Sequence, residues 1–511
     1  MKRIILACAT ALLSLNVTAQ TVHAKVEDNS KILISRHIYG QFAEHLGRSI
    51  YDGFWVDKKL NVKKQGRIRL DIVEALKKIQ IPNLRWPGGC FADEYHWRDG
   101  IGKPKNRPKM VNTHWGGVTE DNSFGTHEFL ELCELLGTEP YISANVGSGT
   151  PEEMSKWVEY LNFKGESPMS KLRKENGHEE PFNVSFWGVG NESWGCGGNM
   201  TADYYSNEYR RYATFAKDYP GIKLKKIAGG ANDFDYNWTE TAMKVIGQRM
   251  WGLSLHYYTL PTGNWSKKGS ATGFNEQEYF NTMERALKMD ELVTKHSAIM
   301  DKYDPKKNVA LVVDEWGIWT DVEPGTNPGF LFQQNSLRDA LIAGSTLNIF
   351  HKHAERVKMA NLAQTVNVLQ SLILTEKEKM LLTPTYHVFD MYKVHQDATL
   401  LPISFESPSY VLNGKKIPAV NASASKDKNG VVHISFVNLD NSRSIEVNTD
   451  LGNINFSKAD GQILTSANVN DYNSFTQPDK IKLNTFSSAT KNGNKLSVTL
   501  PAHSIVTLTL N

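Results

Sequence analysis

Gly188-Val-Gly-Asn191-Glu192-Ser-Trp194 and Val312-Val-Asp314-Glu315-Trp316 each carry a glutamate directly after an apolar run. Such a run reads as a buried strand, and the acid that follows it stands where core meets solvent. A (β/α)8 barrel assembles its catalytic groups there, at the carboxyl ends of its parallel strands. Outward from these stretches, short apolar runs alternate with longer amphipathic ones from residue 38 to residue 385. That is the pattern of repeated strand-helix units. Eight strands are expected, over 39–43, 83–86, 141–145, 185–189, 226–229, 252–256, 310–313 and 359–363. Helical periodicity occupies 67–79, 126–136, 151–161, 202–217, 276–300 and 333–349. Eight units predict a closed TIM barrel, and no Gly-x-Gly-x-x-Gly fingerprint opens the chain to suggest a dinucleotide fold.

The composition changes after the barrel. All twelve tryptophans lie at or before Trp319, whereas the C-terminal region carries alternating stretches such as Val431-Val-His-Ile-Ser-Phe-Val437 and Lys495-Leu-Ser-Val-Thr-Leu-Pro501 between Asn, Asp and Gly turns. This predicts a C-terminal all-β sandwich domain. The organisation read from the chain is a signal peptide over 1–24, an N-terminal strand within 25–37, the barrel over 38–385 and the sandwich over 386–511. The strand, Lys31-Ile-Leu-Ile-Ser35, is expected to join the sandwich.

With 58 basic against 55 acidic residues, a net charge of +3 and no polybasic block, nucleic acid and anionic membrane are excluded as partners. Met1-Lys2-Arg3 and the apolar run 4–15, with small residues near Ala19 and Ala24, read as a secretory signal, so export to the periplasm or medium is expected. The run is too short to span a membrane, and no later segment offers roughly 18 uninterrupted apolar residues. Cys8 lies inside the run instead of at its end, which argues against lipid attachment. Cleavage leaves Cys90, Cys133 and Cys196, an odd count at scattered spacing that argues against a disulfide framework. Cys133 reads as a buried free thiol within a helix. Cys196, in Gly195-Cys-Gly-Gly198, reads as a loop-packing residue.

Glycoside hydrolysis needs a carboxylic acid to protonate the leaving oxygen and a carboxylate to attack or to activate water. Glu192 and Glu315, remote in sequence, meet that need only if the fold brings their strand ends together. Six motifs then sharpen the reading: Gly40-Gln-Phe-Ala-Glu44-His-Leu-Gly-Arg48, Leu84-Arg85-Trp86-Pro-Gly-Gly89, Trp97-Arg-Asp-Gly-Ile-Gly102, Gly190-Asn191-Glu192, Ser254-Leu-His256-Tyr-Tyr258 and Asp314-Glu315-Trp316. In this order they make the chain resemble an α-L-arabinofuranosidase of glycoside hydrolase family 51, from about residue 38 to the C-terminus.

The resemblance implies a retaining, exo-acting enzyme that releases terminal arabinofuranose from arabinoxylan or arabinan oligosaccharides. It makes Glu192 the general acid/base and Glu315 the nucleophile, with the carboxyl groups roughly 5 to 5.5 Å apart; an inverting pair would stand at roughly 6.5 to 9.5 Å. It places Asn191 on the sugar 2-hydroxyl, Glu44 on hydroxyls at the far end of the pocket, His256 and Tyr258 around Glu315, and Gln364 against the sugar. Arg85 supports the nucleophile through its guanidinium fork. Plainer readings stand beside these: a turn-forming Asn191, a salt-bridged Glu44, an internal ion pair at Arg85 and a satisfied core histidine at His256. Cys90 stands where some family members have Asn, so its thiol approaches the sugar while hydrogen-bonding weakly. Trp115 and Trp194 line the pocket or pack the core. The resemblance also implies a homo-oligomer. His351-Lys-His353 lacks the i, i+4 spacing of a helical zinc pair, so no metal or other cofactor is assigned. The rivals are another retaining glycosidase, such as a β-xylosidase or endoglucanase, and a non-catalytic carbohydrate-binding protein.

Overall fold

The computed structural model describes residues 21–511, so the signal reading falls, over 1–20, outside the described residues. The chain begins with β1 (Thr21–Val26), whose alternate residues Val22, Ala24 and Val26 are buried. The barrel strands follow: β2 (Gly40–Phe42), β3 (Asn83–Trp86), β4 (Glu139–Ala144), β5 (Phe186–Val189), β6 (Lys225–Asn232), β7 (Gly252–Thr259), β8 (Ala310–Ile318) and β9 (Val357–Leu362). They form one closed sheet in sequence order, with β9 returning to pair in parallel with β2. All eight apolar runs are barrel strands. Strands β7 and β8 are buried along their whole length, because a parallel sheet covered by helices has no solvent face.

The helices between them follow ordinary end signals. Thr126–Leu136 stops at Gly137, whose φ of 68° suits a residue without Cβ. Pro151–Asn162 starts with proline in its first turn and with Thr150 accepting the N–H of Glu153. The stretch read as one helix over 276–300 is two, Glu276–Ala286 and Lys288–Tyr303, joined at Leu287.

After the barrel come β10 (Thr399–Leu401), β11 (Ile403–Ser404), β12 (Val420–Lys426), β13 (Val432–Asn438), β14 (Ile445–Asp450), β15 (Ala459–Leu464), β16 (Asn484–Phe486), β17 (Ala489–Asn492), β18 (Lys495–Leu500) and β19 (Ser504–Leu510). One sheet runs β11-β1-β14-β18-β17 and the other β10-β12-β13-β19-β15-β16. The N-terminal strand of the sandwich is therefore β1, not 31–35. There Leu33 makes only an isolated bridge to Thr399 and its side chain is 56% exposed. Thr21 to Ala24, which cleavage at Ala24 would remove, pair with Glu446 to Thr449. Among the described residues no helix is long and apolar enough to cross a membrane.

Barrel and sandwich meet on the helix Leu337–Lys352, which is buried from Leu337 to His351. A helix covered on all sides need not be amphipathic. Inside this junction His351 bonds Tyr39 Oη (2.7 Å) and Ser423 Oγ (2.9 Å), and His395 bonds Ser425 and Ser435 (2.7 Å each). Burial pushes His351 down to about 3 and His395 well below its ordinary range, so both are neutral in the folded chain. In the unfolded chain they titrate near 6.5. Their contribution is complete above that value and is lost as pH falls toward the folded-state pKa. Below pH 6.5 each should cost about 1.4 kcal/mol per pH unit. Denaturant midpoints between pH 7.5 and 5 should fall, and fall less steeply in His351→Gln.

Candidate active site

Glu192 follows β5, and Glu315 sits inside β8. Between Val312 and Glu315, β8 carries one residue more than β7 carries between Ser254 and His256, and the same mismatch recurs against β9. Successive strand residues normally face opposite sides of a sheet, but a bulge breaks that alternation. Here it lets the consecutive acids Asp314 and Glu315 both point inward. Asp314 accepts from Tyr141 Oη (2.7 Å) and from Ser254 Oγ, and lies 3.3 Å from His256 Nε2. Glu315 Oε1 accepts from Arg85 Nη1 and Oε2 from Tyr258 Oη, each at 2.8 Å. One carboxylate oxygen of Glu192, one of Glu315 and a ring nitrogen of His256 lie within 4.8 Å of one another.

The charges are arranged around these acids. Burial opposes a charge on His256, but Glu315, Asp314 and Glu192 outweigh it and raise the imidazole to about 10. His256 is therefore an imidazolium whose Nδ1–H donates to Glu192 Oε1 at 2.8 Å. Burial first, and the nearby Glu315 charge, push Glu192 upward, while the His256 hydrogen bond pulls it down. Among the described residues its Oε2 has the sulfurs of Cys196 (3.5 Å) and Cys90 (3.9 Å) as its hydrogen-bonding neighbours. Neither sulfur carries a proton, because the two are joined, so Oε2 is the oxygen free to hold one. For Asp314, burial is outweighed by Arg85 and His256, which keep the carboxyl well below its usual range. Arg85 also donates to Asn191 Oδ1 (2.6 Å) and Ser143 Oγ (3.2 Å), so a single guanidinium fixes residues on β4 and β8 and just after β5.

The far end of the cavity is built on Glu44. Its Oε1 accepts from Gly89 N (2.9 Å), Phe91 N (3.3 Å) and Trp115 Nε1 (3.0 Å), and its Oε2 from Gln364 Nε2 (2.7 Å). Burial, helped by the Glu315 charge, raises Glu44 to about 7. Gly88 and Gly89 are demanded by close approach: a Cβ on Gly88 would stand 2.8 Å from Glu44 Cγ, and one on Gly89 2.6 Å from Glu315 Oε1. Two buried polar atoms here, Asn191 Nδ2 and Gln364 Oε1, have no protein partner and are available to a ligand. The cavity is about 310 Å³, at the small end of the range for ligand sites, and Glu44, Cys90, Trp115, Glu192, Tyr258, Glu315 and Gln364 all line it.

Two cysteine readings are corrected. Cys90 and Cys196 form a disulfide, with Cα atoms 5.4 Å apart, so Cys90 has no thiol to offer a sugar and Cys196 is more than loop packing. The two follow different strands, β3 and β5, and the closed sheet brings their loops together; scattered spacing hid the pair. Cys90 directly follows the motif Leu84–Gly89 and Cys196 lies four residues after Glu192, so their shared position beside the site motifs is the usable signal. Cys133 is free and buried. Trp115 and Trp194 line the cavity while resting on the core. Sequence reasoning missed Asp314 as a site residue, and also missed Trp265, Trp319 and Asn232, which line the mouth.

A family model described as the α-L-arabinofuranosidase C-terminal domain matches residues 314–504, and one described as α-L-arabinofuranosidase 1 domain matches 75–270. A Bacteroides ovatus protein named intracellular exo-α-L-arabinofuranosidase is 54% identical over 99% of this chain and 98% of its own. The crystal structure of a GH51 arabinofuranosidase from Xanthomonas axonopodis pv. citri superposes with a TM-score of 0.95 at 52% identity, covering 97% of this chain and all of that one. The chain belongs to the α-L-arabinofuranosidases of glycoside hydrolase family 51. A second structure, an α-L-arabinofuranosidase from Thermotoga maritima in complex with arabinose, gives a TM-score of 0.85 at 32% identity over 96% of this chain and 99% of its own. As a family 51 arabinofuranosidase the chain is a glycoside hydrolase. The expectation of export is corrected by these comparisons: the Bacteroides relative, matched along nearly the whole chain, is named intracellular, which points away from export.

Proposed function

We propose that this arabinofuranosidase is a retaining, exo-acting enzyme that releases terminal arabinofuranose from arabinoxylan or arabinan oligosaccharides, with Glu192 as acid/base and Glu315 as nucleophile. The observation that supports this most strongly is the approach of the two carboxylates across one cavity, within 4.8 Å between facing oxygens. Retaining carboxyl groups stand roughly 5 to 5.5 Å apart and inverting ones roughly 6.5 to 9.5 Å, so close approach of facing oxygens favours retention.

In the first step Glu315 attacks the anomeric carbon and forms a C–O bond to it, while the bond to the leaving oxygen breaks and takes the proton from Glu192 Oε2. Arg85 and Tyr258 hold the nucleophile in line. Esterification then removes the Glu315 charge that had favoured a protonated Glu192. The imidazolium of His256 remains and favours the carboxylate, so Glu192 now accepts a proton from water as water displaces Glu315. Asn191 Nδ2, buried and without a partner among the described residues, would donate to the sugar 2-hydroxyl, a contact that strengthens in the oxocarbenium-like transition state.

Glu44, Trp115 and Gln364 close the far end of a small cavity, which suits one terminal sugar better than the open groove of an endo-acting enzyme. Family likeness also carries the proposal of a homo-oligomer, which sedimentation reads directly. Methanol competing with water tests the mechanism: retention gives methyl α-L-arabinofuranoside by NMR, and the β anomer would overturn it. On arabinan and arabinoxylan oligosaccharides the only small product should be arabinose; release of longer fragments would contradict exo action.

A further inference from the structure

Asp93 ends the short turn Cys90–Asp93 that follows β3, and it lies just behind the cavity, 4% exposed. Its Oδ1 accepts the N–H groups of Val146 (2.7 Å) and Gly147 (2.9 Å), which follow β4, and its Oδ2 accepts that of Asn191 (3.0 Å), which follows β5. Its own carbonyl accepts Ser148 N and Oγ at 3.0 Å. One side chain thus joins the ends of three adjacent barrel strands, and every donor to its carboxylate is a backbone N–H. No neutral side chain of this size offers acceptors on both branches; an amide would turn a donor toward one set of N–H groups.

The residue after Asn191 is Glu192, with a φ of 41°. A left-handed non-glycine backbone is strained and persists only where its surroundings over-determine it. Here the turn Cys90–Asp93 grips the acid's loop on both sides: Asp93 holds Asn191 before Glu192, and Cys90 is bonded to Cys196 after it. Gly197 folds back over this grip so closely that a Cβ would stand 1.8 Å from Asn191 O and 2.7 Å from Asp93 Oδ2.

We propose that Asp93 is a positioning residue for the acid/base, fixing the Asn191 backbone and thereby aiming the Glu192 carboxyl at the leaving group. This rests on the reading of Glu192 given above. The test compares Asp93→Asn, Gly197→Ala and Glu192→Ala in the full-length enzyme. The readouts are kcat/KM on an aryl arabinofuranoside with a very good leaving group and on an arabinoxylan oligosaccharide, plus the pH profile of kcat/KM. A displacement of the acid by a fraction of an ångström is expected to cost D93N about 10- to 100-fold on the oligosaccharide. The aryl substrate should lose only a few-fold, and the alkaline limb of the profile should move. A merely structural Asp93 would lower the melting temperature and both rates together, with the profile unmoved; that result overturns the proposal. If D93N does not fold, G197A, which displaces the same backbone from the opposite side, decides by the same ratio. E192A separates the two layers. Discrimination in E192A without discrimination in D93N rejects Asp93 alone, and its absence in E192A rejects both.

Discussion

Glu315→Gln is expected to lower kcat/KM by about 10^4-fold or more on every arabinofuranoside, whatever the leaving group, because no other group is placed to form the covalent bond. The amide keeps the shape of the carboxylate, and Arg85 keeps the carbonyl of Asp314 at 3.2 Å and its carboxylate at 3.8 Å, so the fold should survive. The same substitution carries a second expectation with a defined sign. The Glu315 charge is one of the causes that raise Glu192, behind burial. Removing it should lower the pKa of Glu192, which NMR titration of the side chain would read as a shift toward acid. Retention of more than a hundredth of the activity on any substrate would remove Glu315 from the nucleophile's role.

Glu192→Ala is expected to divide substrates. Loss of general acid catalysis costs about 10^2 to 10^4-fold where the leaving oxygen must be protonated. An aryl leaving group of low pKa departs unaided, so kcat/KM on such a substrate should fall only a few-fold. The second step still lacks its base, so kcat and KM on the aryl substrate should fall together as the glycosyl-enzyme accumulates. Azide, a nucleophile that needs no deprotonation, should restore kcat in the variant and leave the parent enzyme unchanged. Equal losses on aryl and natural substrates, with no response to azide, would contradict the assignment.

The barrel was legible because each strand is an apolar run bounded by polar residues, and a covered parallel sheet imposes that signature. Where the reading failed, the missing information was spatial. The stretch 31–35 is as apolar as a strand, yet Leu33 faces solvent; the true strand, Thr21–Val26, buries Val22, Ala24 and Val26 between Thr21, His23 and Lys25, and its first four residues lie in the stretch expected as a signal. Glu192, Glu315 and Glu44 could be singled out in the sequence because their motifs are local, and the fold brings the three to one cavity. The disulfide and the Asp93 clamp could not, because each joins loops that are adjacent only after the sheet closes. Asp314 is hidden from sequence reasoning, because period-two alternation turns it away from the site when Glu315 faces in. Only the bulge in β8 brings both inside.

The central claim is that Glu315 and Glu192 act on one anomeric carbon from the two ends of the bond being broken. The most direct test is peptide mapping by mass spectrometry of the E192A variant, quenched during turnover of an aryl arabinofuranoside. The account predicts one anhydropentosyl unit on the peptide containing Glu315, at that side chain. A modified peptide elsewhere in the chain, or an unmodified chain while turnover continues, would contradict it.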